Sequence, residues 1–135
     1  MNTTPTNPAY AQPLYTLAEQ VLDLCRASGA DQAEVSLSQD TGFAANVRLG
    51  DVETVERTND QGVAVTVYTK HSKGTASTAD LRPESLRETV AQACAIARYT
   101  EADAASGLAD AERLATAPMD FDLWHPTESS AEQSI

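Results

Sequence analysis

The chain has 135 residues, 20 acidic against 9 basic, for a net charge of −11; this is the length of one domain, which buries roughly 65–70 % of its unfolded surface when it folds. Residues 1–99 hold 12 acids and 8 bases, whereas residues 100–135 hold 8 acids and Arg113 alone. With only Lys70 and Lys73 close together, the chain lacks the clustered cations that neutralise a phosphate backbone, which excludes nucleic acid as a direct ligand. No segment approaches the ~20 apolar residues of a bilayer span, so no membrane partner is expected. Residues 1–13 carry neither the basic start nor the apolar run of a targeting peptide, so a cytoplasmic location is expected. There Cys25 and Cys94 read as buried thiols rather than a disulfide.

In chain order, residues 1–13 form a polar arm read as disordered, and residues 14–100 form the domain. Leu14, Ala18, Val21 and Cys25 recur at helical spacing, flanked by Leu17, Leu22 and Leu24. Gly29 follows at the position where a left-handed residue closes a helix. After Asp31 the period changes to two. Val35 and Leu37 alternate with polar residues, Asp40, Thr41 and Gly42 read as a turn, and Phe43, Ala45, Val47 and Leu49 alternate again. Gly50 and Asp51 suit a two-residue type II′ loop. In the next strand Val52 and Val55 break parity, which implies a bulge or an exposed valine. Residues 59–62 read as another turn, before Val63, Val65 and Val67 mark the best core strand. Residues 71–74 read as a turn into a short strand of small residues, 75–79, suited to a sheet edge or a close backbone contact. Pro83 opens a second helix with Leu86, Val90, Ala93 and Ala97 on one stripe. The expected fold class is α+β: a two-layer domain with an antiparallel sheet of about five strands and two helices on one face, in the order α-β-β-β-β-β-α. Residues 101–128 read as an acidic tail that Met119, Phe121, Leu123 and Trp124 hold against the domain. Ser130 and Gln133 have capping-box spacing, so residues 129–135 read as the start of a truncated helix leading to a missing C-terminal domain.

Chemistry-bearing residues are sparse. His71 and Ser72 are neighbours on a turn, with no third group to complete a nucleophile and base. Asp120, Asp122 and His125 lie on irregular backbone that does not converge close-spaced ligands. Two histidines 54 residues apart and two cysteines make neither a histidine helix motif nor a Cys₄ site. The glycines at 42, 50, 62 and 74 are spaced as turns, and none opens a helix as phosphate loops do. Glu53 and Glu56 read as a solvated strand face. No catalytic, metal or cofactor residue is therefore assigned. The one candidate contact is the edge strand, Thr75, Ala76, Ser77 and Thr78, whose backbone is suited to capturing an extended peptide by strand addition in an independent binding module.

The segments Asp31-Gln-Ala-Glu-Val35, Arg48-Leu-Gly50 with Glu53 and Val55-Glu56, Gly62-Val-Ala-Val-Thr-Val-Tyr68 and Lys73-Gly-Thr-Ala-Ser-Thr-Ala-Asp-Leu81, followed by Ala97-Arg-Tyr-Thr100 and Asp120-Phe-Asp-Leu-Trp-His-Pro126, carry a resemblance. In order and spacing they resemble the N-terminal domain of the TldD/PmbA family (modulator of DNA gyrase, peptidase U62 type), in its PmbA/TldE branch. The resemblance implies a cytoplasmic zinc metalloprotease assembled as a heterodimer of two related subunits and acting on unfolded peptides such as microcin precursors and antitoxins. It also implies that the zinc-binding histidines lie in the C-terminal region of the TldD-like partner, so this chain is expected to hold no zinc and no activity of its own.

Overall fold

The computed structural model describes residues 11–117, together with 121 and 125. The 1–10 part of the N-terminal arm, the anchors Met119, Leu123 and Trp124, and the 129–135 helix start lie outside the described residues. Helix α1 spans Gln12–Ala27, with Pro13 in its first turn. It thus starts inside the stretch expected to be arm, because proline is pre-set for a first helical turn. Its C-terminus is a Schellman motif, in which Gly29 has φ 84°, Gly29 N–H donates to the Arg26 carbonyl at 3.0 Å and Ala30 N–H to the Cys25 carbonyl at 3.2 Å.

Three strands follow, not five. Strand β1 spans Gln32–Arg48, β2 Asp51–Thr69 and β3 Ser72–Thr78, in one antiparallel sheet of order β1-β2-β3. The two stretches read as turns, 40–42 and 59–62, pair with each other: Asp40 faces Asp60, Thr41 faces Asn59, Gly42 faces Thr58 and Ser38 faces Gly62. Turn-forming composition on both strands is tolerated because the ribbon there is exposed to water on both faces. The loop read at Gly50-Asp51 as type II′ and the turn read at 71–74 are each placed closer to the N-terminus, and the first is of another type. Arg48 pairs with Asp51 and Thr69 with Ser72, which leaves Leu49-Gly50 and Lys70-His71 as two-residue loops. Leu49 (55°), Gly50 (92°), Lys70 (51°) and His71 (66°) all have positive φ, the type I′ geometry whose twist matches that of the flanking strands. The broken parity of Val52 and Val55 is a bulge: Asn46 pairs with Thr54 and Val47 with Val52, so Glu53 is the extra residue.

Helix α2 spans Pro83–Tyr99 and packs over β3 and β2, while α1 packs over β1. Between helices and sheet lies one core of Val21 and Cys25 from α1, Val63, Val65 and Val67 from β2, and Leu86, Val90, Ala93, Cys94 and Ala97 from α2. Ala33, Val35 and Leu37 complete it from β1, each opposite a core valine in the register. Gly74 lies under α2 within β3 rather than in a turn. A Cβ there would overlap the Ala93 carbonyl oxygen and stand 2.5 Å from Ala97 N, so glycine on the strand and alanines on the helix together set how closely the layers approach. Residues 103–108 return to the hairpin end of the sheet, where Asp103 N–H donates to the His71 carbonyl at 3.0 Å and Leu108 N–H to Gln32 Oε1 at 2.9 Å. No helix among the described residues is long and apolar enough to cross a membrane.

Candidate functional site

Strand β3 is an edge, bonded on one side to β2 with Thr75 opposite Thr66, Ala76 opposite Val65, Ser77 opposite Ala64 and Thr78 opposite Val63. Thr75 and Ser77 face solvent, and the Thr75 and Thr66 hydroxyls share a hydrogen bond at 3.1 Å. Ala76 and Thr78 point to the helix side and are half-buried. Thr78 Oγ1 accepts from Asp80 N–H at 3.1 Å, which bends the chain toward α2. The candidate contact residues therefore lie on an edge strand, whose outward backbone groups are the kind that pair with an added strand.

Beyond β3, Asp80 gathers the polar groups at the start of α2. It accepts from Arg82 N–H at 3.0 Å, from Arg82 Nε at 2.9 Å and from Ser85 Oγ at 2.8 Å. These hydrogen bonds from Arg82 hold its carboxyl well below the usual carboxylate range. The arrangement braces a helix start that has no side-chain cap of its own.

His71 sits in the hairpin loop with its ring Nδ1 3.2 Å from the Ser106 carbonyl oxygen. A carbonyl only accepts, so Nδ1 carries the proton. That bond fastens the segment after α2 to the sheet, and Ser72 has already entered β3. The pair is thus divided between two structural tasks. Glu53 is the bulge residue and pairs with Arg48 at 3.5 Å on an exposed surface. Asp120 and Asp122 lie outside the described residues. Burial raises both thiols, Cys25 to about 11, which leaves them protonated and unreactive at neutral pH; both are free. Among the described residues no group of three or more His, Cys, Asp or Glu is placed to hold a metal ion.

One surface was not read from the sequence as a unit. Past the helices, Phe43, Ala45 and Val47 of β1 and Val52 and Val55 of β2 fall on one face of the ribbon. Phe43 is 37 % exposed, Val47 46 %, Val52 43 % and Val55 48 %. The Arg57 guanidinium lies over the Phe43 ring, 5.3 Å from its centroid. The other face carries Ala44, Asn46, Thr54, Glu56 and Thr58. The signal was present as the alternation of 43, 45 and 47, resumed at 52 and 55 once the bulge is counted.

Residues 33–97 match the family model for the PmbA/TldA metallopeptidase domain 1. The chain is 46 % identical over 110 residues to the metalloprotease PmbA of Escherichia coli O157:H7, covering 81 % of this chain and 24 % of that protein. It is 34 % identical over 133 residues to a metalloprotease PmbA homolog of Haemophilus influenzae, covering 98 % of this chain and 29 % of that protein. The chain thus spans about a quarter of the length of the curated relatives it matches. Among solved structures, TldE from Thermococcus kodakarensis aligns at TM-score 0.57 and 17 % identity, over 65 % of this chain and 20 % of that one. A protein of Bacteroides thetaiotaomicron described as a modulator of DNA gyrase aligns at TM-score 0.68 and 23 % identity, over 78 % of this chain and 24 % of that one. These two likenesses show a shared fold. With the sequence matches beside them, the chain belongs to the TldD/PmbA family, a metallopeptidase family.

Proposed function

We propose that this chain is the N-terminal domain of a PmbA/TldE-like, noncatalytic subunit that works in the cytoplasm with a TldD-like subunit in a TldD/TldE-type zinc metalloprotease. The observation that carries the reading is the match of residues 33–97 to a first domain of the family, in a chain a quarter as long as its PmbA relatives. The domain's role in this reading is to form a partner interface, or a wall of the proteolytic chamber, around unfolded peptides such as microcin precursors or antitoxins. Its core, its braced helix start and its clipped C-terminal segment suit a rigid support. The test is to purify the full-length protein and its TldD-like partner separately and together and to follow cleavage of an unfolded peptide. Cleavage by the pair and none by the PmbA-like subunit alone is expected; cleavage by the full-length PmbA-like protein alone overturns the noncatalytic role.

A second reading rests on β3 being a sheet edge: an independent module that takes an extended peptide along Thr75, Ala76, Ser77 and Thr78. It requires the 135-residue chain to bind such a peptide by itself, which a fluorescence titration with a labelled unfolded peptide decides.

A further inference from the structure

Tyr68 is 9 % exposed, yet it does not belong to the core between the helices and the sheet. Side chains alternate along a strand, so Tyr68 projects opposite to Val67, on the face without helices. Gln32, its partner in the register, uses that face too. Its Oε1 accepts from Leu108 N–H at 2.9 Å, where the segment after α2 crosses the end of the sheet with Ser106 and Leu108 half-buried. A buried tyrosine ordinarily finds a hydrogen-bond partner for its hydroxyl, but the Tyr68 hydroxyl bonds to none of the described residues.

A cavity of about 210 Å³ opens at this place, lined by Asp31, Gln32, Tyr68, Lys70, His71 and Ser106. Two opposite charges border it without meeting. Asp31 Oδ2 accepts from the Lys70 backbone N–H at 2.7 Å, which holds the loop and leaves the Lys70 ammonium out of the bond. Neither residue takes part in an ion pair among the described residues. His71 donates from Nδ1 to the Ser106 carbonyl at 3.2 Å, so its neutral ring keeps a lone pair on Nε2. The residues around the cavity thus offer a carboxylate oxygen, an ammonium, a phenol and an imidazole lone pair, none with a partner among the described residues.

That set defines the ligand. An inorganic cation or anion answers one of the two charges, whereas a zwitterion answers both. The volume lies below the roughly 300 Å³ at which drug-sized pockets begin, and all six lining residues carry a polar side chain, so the ligand is small and has no large apolar group. We propose that this cavity binds a small free α-amino acid, of the size of glycine, alanine or serine, with its ammonium on Asp31, its carboxylate on Lys70 and a hydrogen bond to the Tyr68 hydroxyl. The site stands whether or not the chain works with a second subunit.

The test titrates the nitrogen-15-labelled 135-residue chain with L-serine and follows its amide shifts. Saturable shifts centred on Asp31, Gln32, Lys70, His71 and Ser106 are expected, with a Kd in the millimolar range that suits so few ligand atoms. Loss of one charge-assisted hydrogen bond weakens binding by about tenfold or more. That loss is expected for serine amide, which lacks the carboxylate, for N-acetylserine, which lacks the ammonium, and for serine on the Asp31→Asn and Lys70→Gln chains. Tyr68→Phe removes only the hydroxyl and weakens binding by about fivefold, while Glu56→Gln on the distant ribbon stays within about twofold. The Lys70 ammonium and the Tyr68 hydroxyl bond to no described residue, so these two variants keep the fold, which circular dichroism verifies, and they decide the matter even where Asp31→Asn disturbs the loop. No saturable shift up to about 50 mM serine overturns the proposal. Serine amide binding as tightly as serine marks a site for an ammonium alone and overturns it too, as does binding that neither Lys70→Gln nor Tyr68→Phe changes.

Discussion

Replacing Gly74 with alanine adds one methyl group at the tightest contact between the layers, where intrinsic preference and packing predict opposite signs. Strand propensity alone favours alanine by roughly 0.5–1 kcal/mol. Against that, the added carbon overlaps the Ala93 carbonyl oxygen and lies 2.5 Å from Ala97 N and 3.1 Å from Ala93 C, while carbon contacts settle at about 3.5–4.0 Å. The obstacles are helix backbone and cannot change rotamer, so α2 must lift by about 1 Å. A gap of that size forfeits a quarter to a half of each contact it opens, along a helix face on which Leu86, Val90, Ala93, Cys94 and Ala97 are all buried. Overpacking of this kind costs about 1–3 kcal/mol; with immovable backbone the upper end applies, and the net loss after propensity is about 2 kcal/mol. For a domain of this size that lowers Tm by about 8–16 °C, read by circular dichroism on the 135-residue chain. Adding Ala93→Gly brings no recovery, because the clash is with a carbonyl rather than a side chain. A Gly74→Ala chain with unchanged or raised Tm would refute the close approach of α2 to β3.

Val65→Ala, at a fully buried position, costs about 2–3 kcal/mol, whereas Val55→Ala, 48 % exposed on the ribbon, shifts stability by about 0.5 kcal/mol or less in the isolated chain; urea midpoints compare the two, and equal losses would mean that the ribbon face is covered from within this chain. Leu49 holds φ 55° at 97 % exposure, so Leu49→Asn makes the Asn-Gly pair preferred in type I′ loops and raises amide protection near the tip. Asp80 has its folded pKa depressed by Arg82 from an ordinary 3.8. Its contribution is therefore present above pH about 4 and is lost as pH falls through the folded pKa. The gap in urea midpoint between wild type and Asp80→Asn narrows below pH 4; a gap that widens on acidification would contradict the assignment.

Both helices and the strand of Val63, Val65 and Val67 were legible because burial imposes a period there, and Gly29 marked a helix end through its left-handed backbone. The α+β class and the antiparallel pairing followed from the same alternation, and the broken parity of Val52 and Val55 left a bulge or an exposed valine open, which the register resolves as a bulge at Glu53. The count of strands did not. Asp40, Thr41 and Gly42 have turn chemistry, and only the register reveals that an equally turn-like stretch, 58–60, lies opposite, so that each supplies the other's pairing. The true loops carry Leu49, Lys70 and His71 at positive φ, where histidine alone of the three is enriched; the flanking strand pairing imposes that conformation on the leucine and lysine, and pairing is not local information. The apolar face of the ribbon stayed divided for the same reason. A missing strand count hides how far a face extends, even when every residue on it has been noticed.

The central claim is that this domain supports a metallopeptidase without holding the metal, and zinc stoichiometry tests it most directly. The purified 135-residue chain, equilibrated with zinc and passed through desalting, is assayed for metal by inductively coupled plasma mass spectrometry, beside the TldD-like subunit treated in the same way. The account predicts zinc retained by the TldD-like subunit and none above background on this chain; one zinc per chain, retained and lost on replacing His71 or His125, would contradict it.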